Sequence, residues 1–474
     1  MRAIVIGAGI SGLASALRLA ERGVEVGVFD AAERAGGVVS SIERNGFLFE
    51  LGPQSFQTTP ALLDLIRSAG LGEECVMAPS RAPRYVYAGG RLHAVPMGPQ
   101  ILVSGSLLGW GTRMRLVSDL AGHSEPPEKG ESLAEFVRRK FGAEMLDRLA
   151  GPFVSGIYAG DPERLGLGDA FPDIHRWEKE HGSVLRGAMR AMKARRERGE
   201  ARPGLAAMRR GNASLFDALA AKLGARLRLG AAVESIRAKG SSSAPGFEVR
   251  VRGAAGEEAH SAECVVVATP TGAAAKMLGG VAPRIAELLG RVEYAPVAVV
   301  GTAYRREQVK NPLDGFGFLM ARSERRKTLG TVWMSSLFPG RAPSGHVNMA
   351  SFIGGATDPA TTELPAEEIA EIVERELAPI LGISGAPVER MVWVHRRALP
   401  QYNLGHRRLV EEILGEVDRV PGLFLVGNYL DGPSTGACVD LAFRTAERVV
   451  KAFGTGGEAA DDTRGELRPP ERVV

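Results

Sequence analysis

Apolar runs and their polar interruptions divide the chain into alternating strand and helix signals. Ala3-Ile4-Val5-Ile6 is a continuous apolar run, predicting a strand, and the glycine turn from Gly7 to Gly12 leads into a helix carrying Arg18, Glu21 and Arg22 on its polar side. A second strand follows over Val24–Phe29, and the GFLFELG segment reads as another before the turn Gly52–Ser55 and a helix over Pro60–Ala69. Two short strands flank Gly89-Gly90, a hairpin signal.

From Gly98 to Arg202 the period becomes helical, most clearly in ESLAEFVRRKFG, where Ser132 and Glu135 have capping-box spacing and Gly142 supplies a stop. Gly211–Gly224 repeats the logic, with Ser214 as the expected cap. LRLGAAVESIRAKG and GFEVRVRG read as strands, and AECVVVATPTGAAAKML reads as a buried parallel strand running into a helix. Alternation between Tyr294 and Gly355 predicts an antiparallel sheet, Glu367–Leu381 a helix, and the end of the chain a strand, a glycine-rich loop and a long helix. The last twenty or so residues are charged and turn-rich, and fraying is expected there.

Length refines this picture. At 474 residues two or three domains are expected, and nucleotide-type α/β pieces recur at the start, near 205–280 and at the end, so the layout is discontinuous. A hydrophobic fraction of 45% with mean hydropathy near zero describes a globular chain. The net charge of +4 is concentrated: Arg186–Arg202 holds seven basic residues against Glu197 and Glu200, leaving the rest close to neutral. No nucleic-acid motif is present. Cys75, Cys264 and Cys438 lie far apart and the eight histidines form no HExxH-like pair, so neither disulfides nor a metal site is expected. The opening apolar run is not read as a signal peptide, because cleavage would remove the glycine turn. Leu92–Thr112 is uncharged over twenty-one residues but contains Pro96, Pro99 and four glycines, which argues against a spanning helix.

The glycine turn carries the first chemistry. In a GxGxxG between strand and helix, Gly7 permits the tight turn, Gly9 lets backbone approach a pyrophosphate, and Gly12 allows close helix packing. Ala8, Ile10 and Ser11 fill the turn, whose free N–H groups face phosphate. Asp30, eighteen residues after Gly12 at the end of the second strand, stands where an acid meets ribose hydroxyls. With the RAGG of Arg34–Gly37 and the following GPQS, this block resembles the flavin-binding part of the amine oxidase and protoporphyrinogen oxidase superfamily. The C-terminal GLFLVGN, glycine loop and helix resemble the segment that closes over the flavin there, with the helix start expected near Ala437.

Three further segments resemble the oxygen-dependent protoporphyrinogen oxidases: Ser155–Pro172, Gly315–Pro339 and Phe352–Gly355. With the flavin motifs, the resemblance covers nearly the whole chain. It implies FAD as cofactor, held additionally by Arg34, Gly37, Val38, Gly52, Pro53, Gln54 and Ser55. Val233, Trp393, Gly427, Ala437, Cys438 and Val439 complete the implied flavin site. Gly156, Leu319, Val332 and Phe352 become tetrapyrrole contacts, their apolar character suited to a large greasy ring. Where family members often carry an arginine after the AVP of residues 94–96, this chain has Pro99 and Gln100, a weaker carboxylate anchor.

The implied fold is α/β and α+β: a discontinuous Rossmann-like FAD-binding domain of p-hydroxybenzoate-hydroxylase type (1–80, 205–282, 391–474), a β-sheet substrate domain (81–97, 283–390) and a helical membrane-associating domain (98–204). The implied reaction is oxidation of protoporphyrinogen IX, with oxygen as acceptor and peroxide released. No acid–base constellation stands out, and no catalytic side chain is assigned, since the flavin carries the chemistry. The expected partners are the tetrapyrrole and molecular oxygen, with peripheral contact at the cytoplasmic face of the cell membrane; a homodimer is allowed. Alternatives stay open at this point: a coproporphyrinogen III oxidase, a flavin amine oxidase (for which Tyr429 is an aromatic without a clear partner) and a non-enzymatic FAD or porphyrin binder.

Overall fold

The computed structural model describes residues 1–95, 106–199, 204–241 and 244–453. The expectations for Pro99, Gln100 and the charged C-terminal tail lie outside these residues.

A five-stranded parallel sheet organises the nucleotide end of the molecule. Strand β1 (Arg2–Ile6) leads through the glycine turn into helix α1 (Ile10–Glu21) and strand β2 (Glu25–Phe29). β1 lies between β2 and the strand Cys264–Val267, which pairs in turn with Leu423–Leu425; Leu227–Arg228 borders β2. Ala3 and Val5 enter one apolar layer, shared with α1 and the helix Thr435–Phe453, while Ile4 and Ile6 enter the other. Burial on both faces explains why these strands read as unbroken apolar runs. Neighbours of β1 are reached in opposite directions, so a crevice opens beyond its carboxyl end, where parallel sheets bind ligands.

A three-stranded antiparallel sheet (Ala232–Ser241, Ala244–Gly253, Gly256–Ala262) packs beside this unit. The second large sheet has seven strands, in the spatial order Glu389–Pro400, Tyr294–Arg305, His346–Gly354, Thr328–Val332, Gly317–Met320, Arg84–Ala88, Arg91–Ala94. Every pair is antiparallel except Gly317–Met320 with Arg84–Ala88. Those two strands come from distant parts of the chain, so no hairpin dictates their direction. The helix Ala366–Leu381 covers one face of the sheet through Ala298, Val300, Phe318 and Ile353.

Helices from Trp110 to Glu197 form a third layer around Leu116, Phe136, Val154 and Trp177. The capping box is present: Ser132 Oγ accepts from Glu135 N at 3.2 Å, and Glu135 Oε2 accepts from Ser132 N at 2.8 Å. That helix ends at Lys140, before Gly142 at φ +92°. Ser214 is not a cap: its helix already begins at Ala213, and its hydroxyl donates to the Gly211 carbonyl at 2.7 Å. Among the described residues no helix is long and apolar enough to cross a membrane, and no cluster of metal-ligating side chains occurs.

Candidate functional site

The crevice begins with an uncapped helix. α1 starts from Gly9 with no side-chain cap and no acidic residue in its first turn. By contrast, Thr59, Ser132 and Ser183 cap the helices that follow them. Free N–H groups and the positive end of α1 therefore face the crevice, as an anion requires. Gly7 has φ +108°, and a Cβ on Gly12 would collide with the Gly7 carbonyl, so both positions require glycine. A Cβ on Gly9 would meet nothing within 4 Å, so the space above it is free for a pyrophosphate.

Asp30 closes the next side. Its Oδ2 accepts from Ala8 N at 2.5 Å and its Oδ1 from Ala32 N at 2.8 Å. The carboxylate is thus aimed at the glycine turn, with lone pairs left for ribose hydroxyls. Val233 lies beyond Ala231, whose N–H donates to the Asp30 carbonyl at 2.8 Å, which brings it to the same end of the crevice.

The RAGG turn docks on the fingerprint: Gly36 N donates to Ala8 O at 2.9 Å, and a Cβ on Gly37 would stand 3.5 Å from Gly9 Cα. Arg34 holds this turn from within, its guanidinium donating to the carbonyls of Val39 at 2.7 Å and Gly37 at 3.0 Å. Val38 is exposed beside it, and its carbonyl presses against Gly52 closely enough to exclude a Cβ. In the Gly52–Ser55 loop, Gln54 is buried and donates to the carbonyls of Glu50 and Gly52. Asn212 donates to the carbonyls of Pro53 at 2.9 Å and Gln54 at 3.2 Å.

A buried ion pair anchors this loop to the second sheet. Glu50 receives Arg341 Nη1 at 2.6 Å, Ser41 Oγ at 2.5 Å and Asn212 N at 2.9 Å. Burial pushes the Glu50 carboxyl up from its ordinary value, against the opposing pull of Arg341 and the other donors. His395 reaches Leu51 O at 2.8 Å from the edge strand of the same sheet, and burial lowers its pKa. Its one ring proton therefore sits on the nitrogen facing that carbonyl.

Gly427 begins the C-terminal loop, and Ser434 ends it by accepting from Ala437 N at 3.2 Å (through Oγ) and Cys438 N at 3.0 Å (through its carbonyl). The helix starts at Thr435, two residues earlier than expected, because Ser434 caps it. The N–H groups of Ala437 and Cys438 are thereby engaged, and the free end of the dipole lies at Thr435 and Gly436. The Cys438 and Val439 side chains are buried, Val439 within the core beside α1. Tyr429 is also wholly buried, at 0% exposure, which removes it as a substrate-facing aromatic.

The second sheet turns an apolar row toward this cleft. Pairing runs Leu319–Gly330–Phe352–Val299–Trp393, and directly paired residues share a face. Val332 lies two positions from Gly330 on the same face, next to Phe352 in one apolar cluster. Gly156 approaches from the helical layer: a Cβ there would stand 2.9 Å from Leu319 Cδ2. Leu319, Val332 and Phe352 are only half-buried and Gly156 is exposed, as a pocket wall requires. Trp393, 44% exposed, ends the row two residues along its strand from His395 and on the same face, with the ring centroids 6.3 Å apart.

The structure thus gathers the residues of the first glycine turns around Gly9, and sets the apolar row on the sheet face from which His395 reaches Leu51. Sequence reasoning missed Glu50, Asn212, Arg341, His395 and Ser434, which hold the cleft's loops. Glu50 had left one signal, a charge inside an apolar strand.

The open backbone at Gly9, the uncapped α1 and the acid at Asp30 fit a dinucleotide, and the apolar row beside it fits the arrangement of a flavoprotein. Residues 10–452 match the family described as flavin containing amine oxidoreductase. The chain is 33% identical over 467 residues to the chloroplastic protoporphyrinogen oxidase of Nicotiana tabacum, covering 94% of this chain and 85% of that protein. It is 27% identical to the coproporphyrinogen III oxidase of Bacillus subtilis (strain 168), covering 92% and 95%. The crystal structure of a candidate protoporphyrinogen oxidase from Exiguobacterium sp. 255-15 superposes with a TM-score of 0.77 at 25% identity, covering 94% and 98%. Reduced UDP-galactopyranose mutase shares the fold, with a TM-score of 0.70 at 18% identity and coverage of 95% and 94%. The chain belongs to the flavin-containing amine oxidoreductase family. It is an oxidoreductase whose cofactor is FAD.

Proposed function

We propose that this chain oxidises protoporphyrinogen IX to protoporphyrin IX. Six electrons and six protons leave the macrocycle in three two-electron steps; each step consumes one oxygen molecule and yields one hydrogen peroxide. Bound FAD supplies the hydride-accepting ring. The protein's part is to hold the macrocycle against the row Leu319–Gly330–Phe352, keep water out, and present a bridge carbon toward the Trp393 end. The apolar row carries this reading, since its long wall without charges suits a flat hydrophobic ring and leaves a small amine unanchored.

Identity to the plant protoporphyrinogen oxidases supports this substrate over coproporphyrinogen III, whose bacterial oxidases match at 25–27%. Turnover of each porphyrinogen under air, followed by porphyrin fluorescence, tests the choice. Faster gain with protoporphyrinogen IX is expected, and no gain with either removes the tetrapyrrole reading. Anaerobic bleaching of the flavin by the same substrate separates an enzyme from a binder.

In this reading residues 1–80, 205–282 and 391–474 build an FAD domain of p-hydroxybenzoate-hydroxylase type, 81–97 and 283–390 the substrate domain, and 98–204 a membrane-associating domain at the cytoplasmic face. Trp110, Met114 and Val117, exposed by 74%, 48% and 43%, line one side of their helix. Met189 and Met192, exposed by 62% and 57%, stand on the neighbouring basic helix. Apolar side chains among cations suit an anionic lipid surface. Co-sedimentation with anionic vesicles tests this, with loss expected for Trp110→Ser combined with Met114→Ser. Gel filtration with and without detergent reads the oligomeric state.

A further inference from the structure

Between the strand Glu389–Pro400 and the helix His406–Val417, the short segment from Gln401 to His406 is fastened on two sides. On the substrate side, Gln401 Nε2 donates to Tyr158 O at 2.9 Å, at the end of the helix Gly151–Tyr158 that carries Gly156. The carbonyl of Tyr402 accepts from Gly166 N at 3.0 Å, and Leu404 N donates to Arg164 O at 2.9 Å. On the flavin side, Tyr402 Oη donates to Asn428 O at 2.8 Å, and His406 Nε2 donates to Tyr429 O at 2.8 Å. The Tyr402 and His406 rings are in tilted contact with centroids 4.3 Å apart, and the Tyr158 ring lies 5.5 Å from that of Tyr402. Both donors are buried, at 3% and 6% exposure.

We propose that Gln401–His406 is a strap that sets the conformation of the flavin-facing loop, with Tyr402 and His406 as positioning residues acting through the carbonyls of Asn428 and Tyr429. The inference rests on the flavoprotein reading. These donors hold two successive peptide carbonyls of the Gly427–Ser434 loop, those of Asn428 and Tyr429. Without them the carbonyls lose their partners, and each can turn toward the ring, where negative charge builds on reduction. A carbonyl dipole there opposes that charge. Gln401 ties the same strap to the substrate helix, so a change at its distal end is transmitted to the loop without touching it.

The test uses the full-length holoenzyme and needs no porphyrinogen. Tyr402→Phe keeps the ring and deletes one donor. Its flavin reduction potential is expected to become more negative, its visible flavin bands to shift, and its Kd for FAD to rise about fivefold, the worth of one hydrogen bond. Gln401→Met is expected to move all three the same way by less. His406→Gln, whose amide reaches the same carbonyl, is expected to keep wild-type values, whereas His406→Leu does not. The inference is overturned if both Tyr402→Phe and His406→Leu bind FAD within twofold of wild type with unchanged bands and potential, or if they only lower Tm. Should Tyr402→Phe fail to fold, the His406→Gln and His406→Leu pair decides alone. A wild-type protein that binds no FAD would instead remove the flavoprotein reading, a distinguishable result.

Discussion

Arg341 places Nη1 2.6 Å from Glu50 Oε1, with both side chains at 0% exposure, and so ties the strand before the Gly52–Ser55 loop to a turn of the seven-stranded sheet. Arg341 also donates to Met208 O at 3.0 Å, and Asn348 donates to the carbonyls of Leu48 and Arg341. The wall of the cofactor crevice and the wall of the apolar row are therefore parts of one polar joint. Two charges out of water are tolerable only when each finds close partners; here both terminal guanidinium nitrogens of Arg341 do, while its Nε is buried without one.

Arg341→Met leaves the Glu50 carboxyl buried without its cation, with only Ser41 and Asn212 as donors, and is expected to cost about 3–5 kcal/mol in denaturant unfolding. Glu50→Leu combined with Arg341→Met is expected to recover much of that loss while still weakening FAD binding, because the loop keeps its packing but not its fixed position. Urea titration with and without FAD separates the two effects.

Gly9 and Gly12 should fail differently. Gly9 has φ −75°, and a Cβ there touches nothing within 4 Å, so Gly9→Val is expected to melt like the wild-type apoprotein. Its side chain would occupy the pyrophosphate's approach, raising the Kd for FAD by roughly tenfold or more, about 1.4 kcal/mol. Gly12→Ala drives a methyl into the Gly7 carbonyl and is expected to lower the apoprotein's Tm itself. Apoprotein melts paired with FAD titrations check both.

Phe352→Ala and Leu319→Ala remove parts of the apolar row without touching the crevice's polar contacts. Each is expected to raise KM for the porphyrinogen roughly tenfold, the worth of a lost hydrophobic contact, with FAD affinity unchanged. Steady-state kinetics alongside flavin titration would show it.

Burial lowers the pKa of both His395 and His406, so the folded state resists protonation more than the unfolded chain does. Their contribution is complete above the unfolded value of about 6.5 and is lost as pH falls through it toward the folded values. Tm is expected to be flat near neutrality and to fall in mildly acid solution, with a shallower fall in His406→Gln. Melting curves across that range, at constant ionic strength, measure the slope.

Local signals were legible wherever chemistry repeats along the chain. The spacing of Ser132 and Glu135 marked a helix start, and Asp30 lay where the glycine turn needed an acid. Ser214 misled because Asn212, just upstream, spends its side chain on the Gly52–Ser55 loop instead of capping its own helix. Tyr402, His406 and Arg341 gave no signal, since their partners lie 26, 23 and 291 positions away and no short-range pattern encodes such contacts.

The sequence by itself determined the alternation of elements, the glycine turn at Gly7–Gly12 and the family resemblance, because period, glycine spacing and motif order are properties of neighbouring residues. Only the tertiary structure decided that Leu319, Phe352 and Trp393 share one face, that Thr435 rather than Ala437 opens the last helix, and that Glu50 is held by Arg341. Strand register and the pairing of buried charges depend on which distant segments meet, and that is settled only when the whole chain is packed.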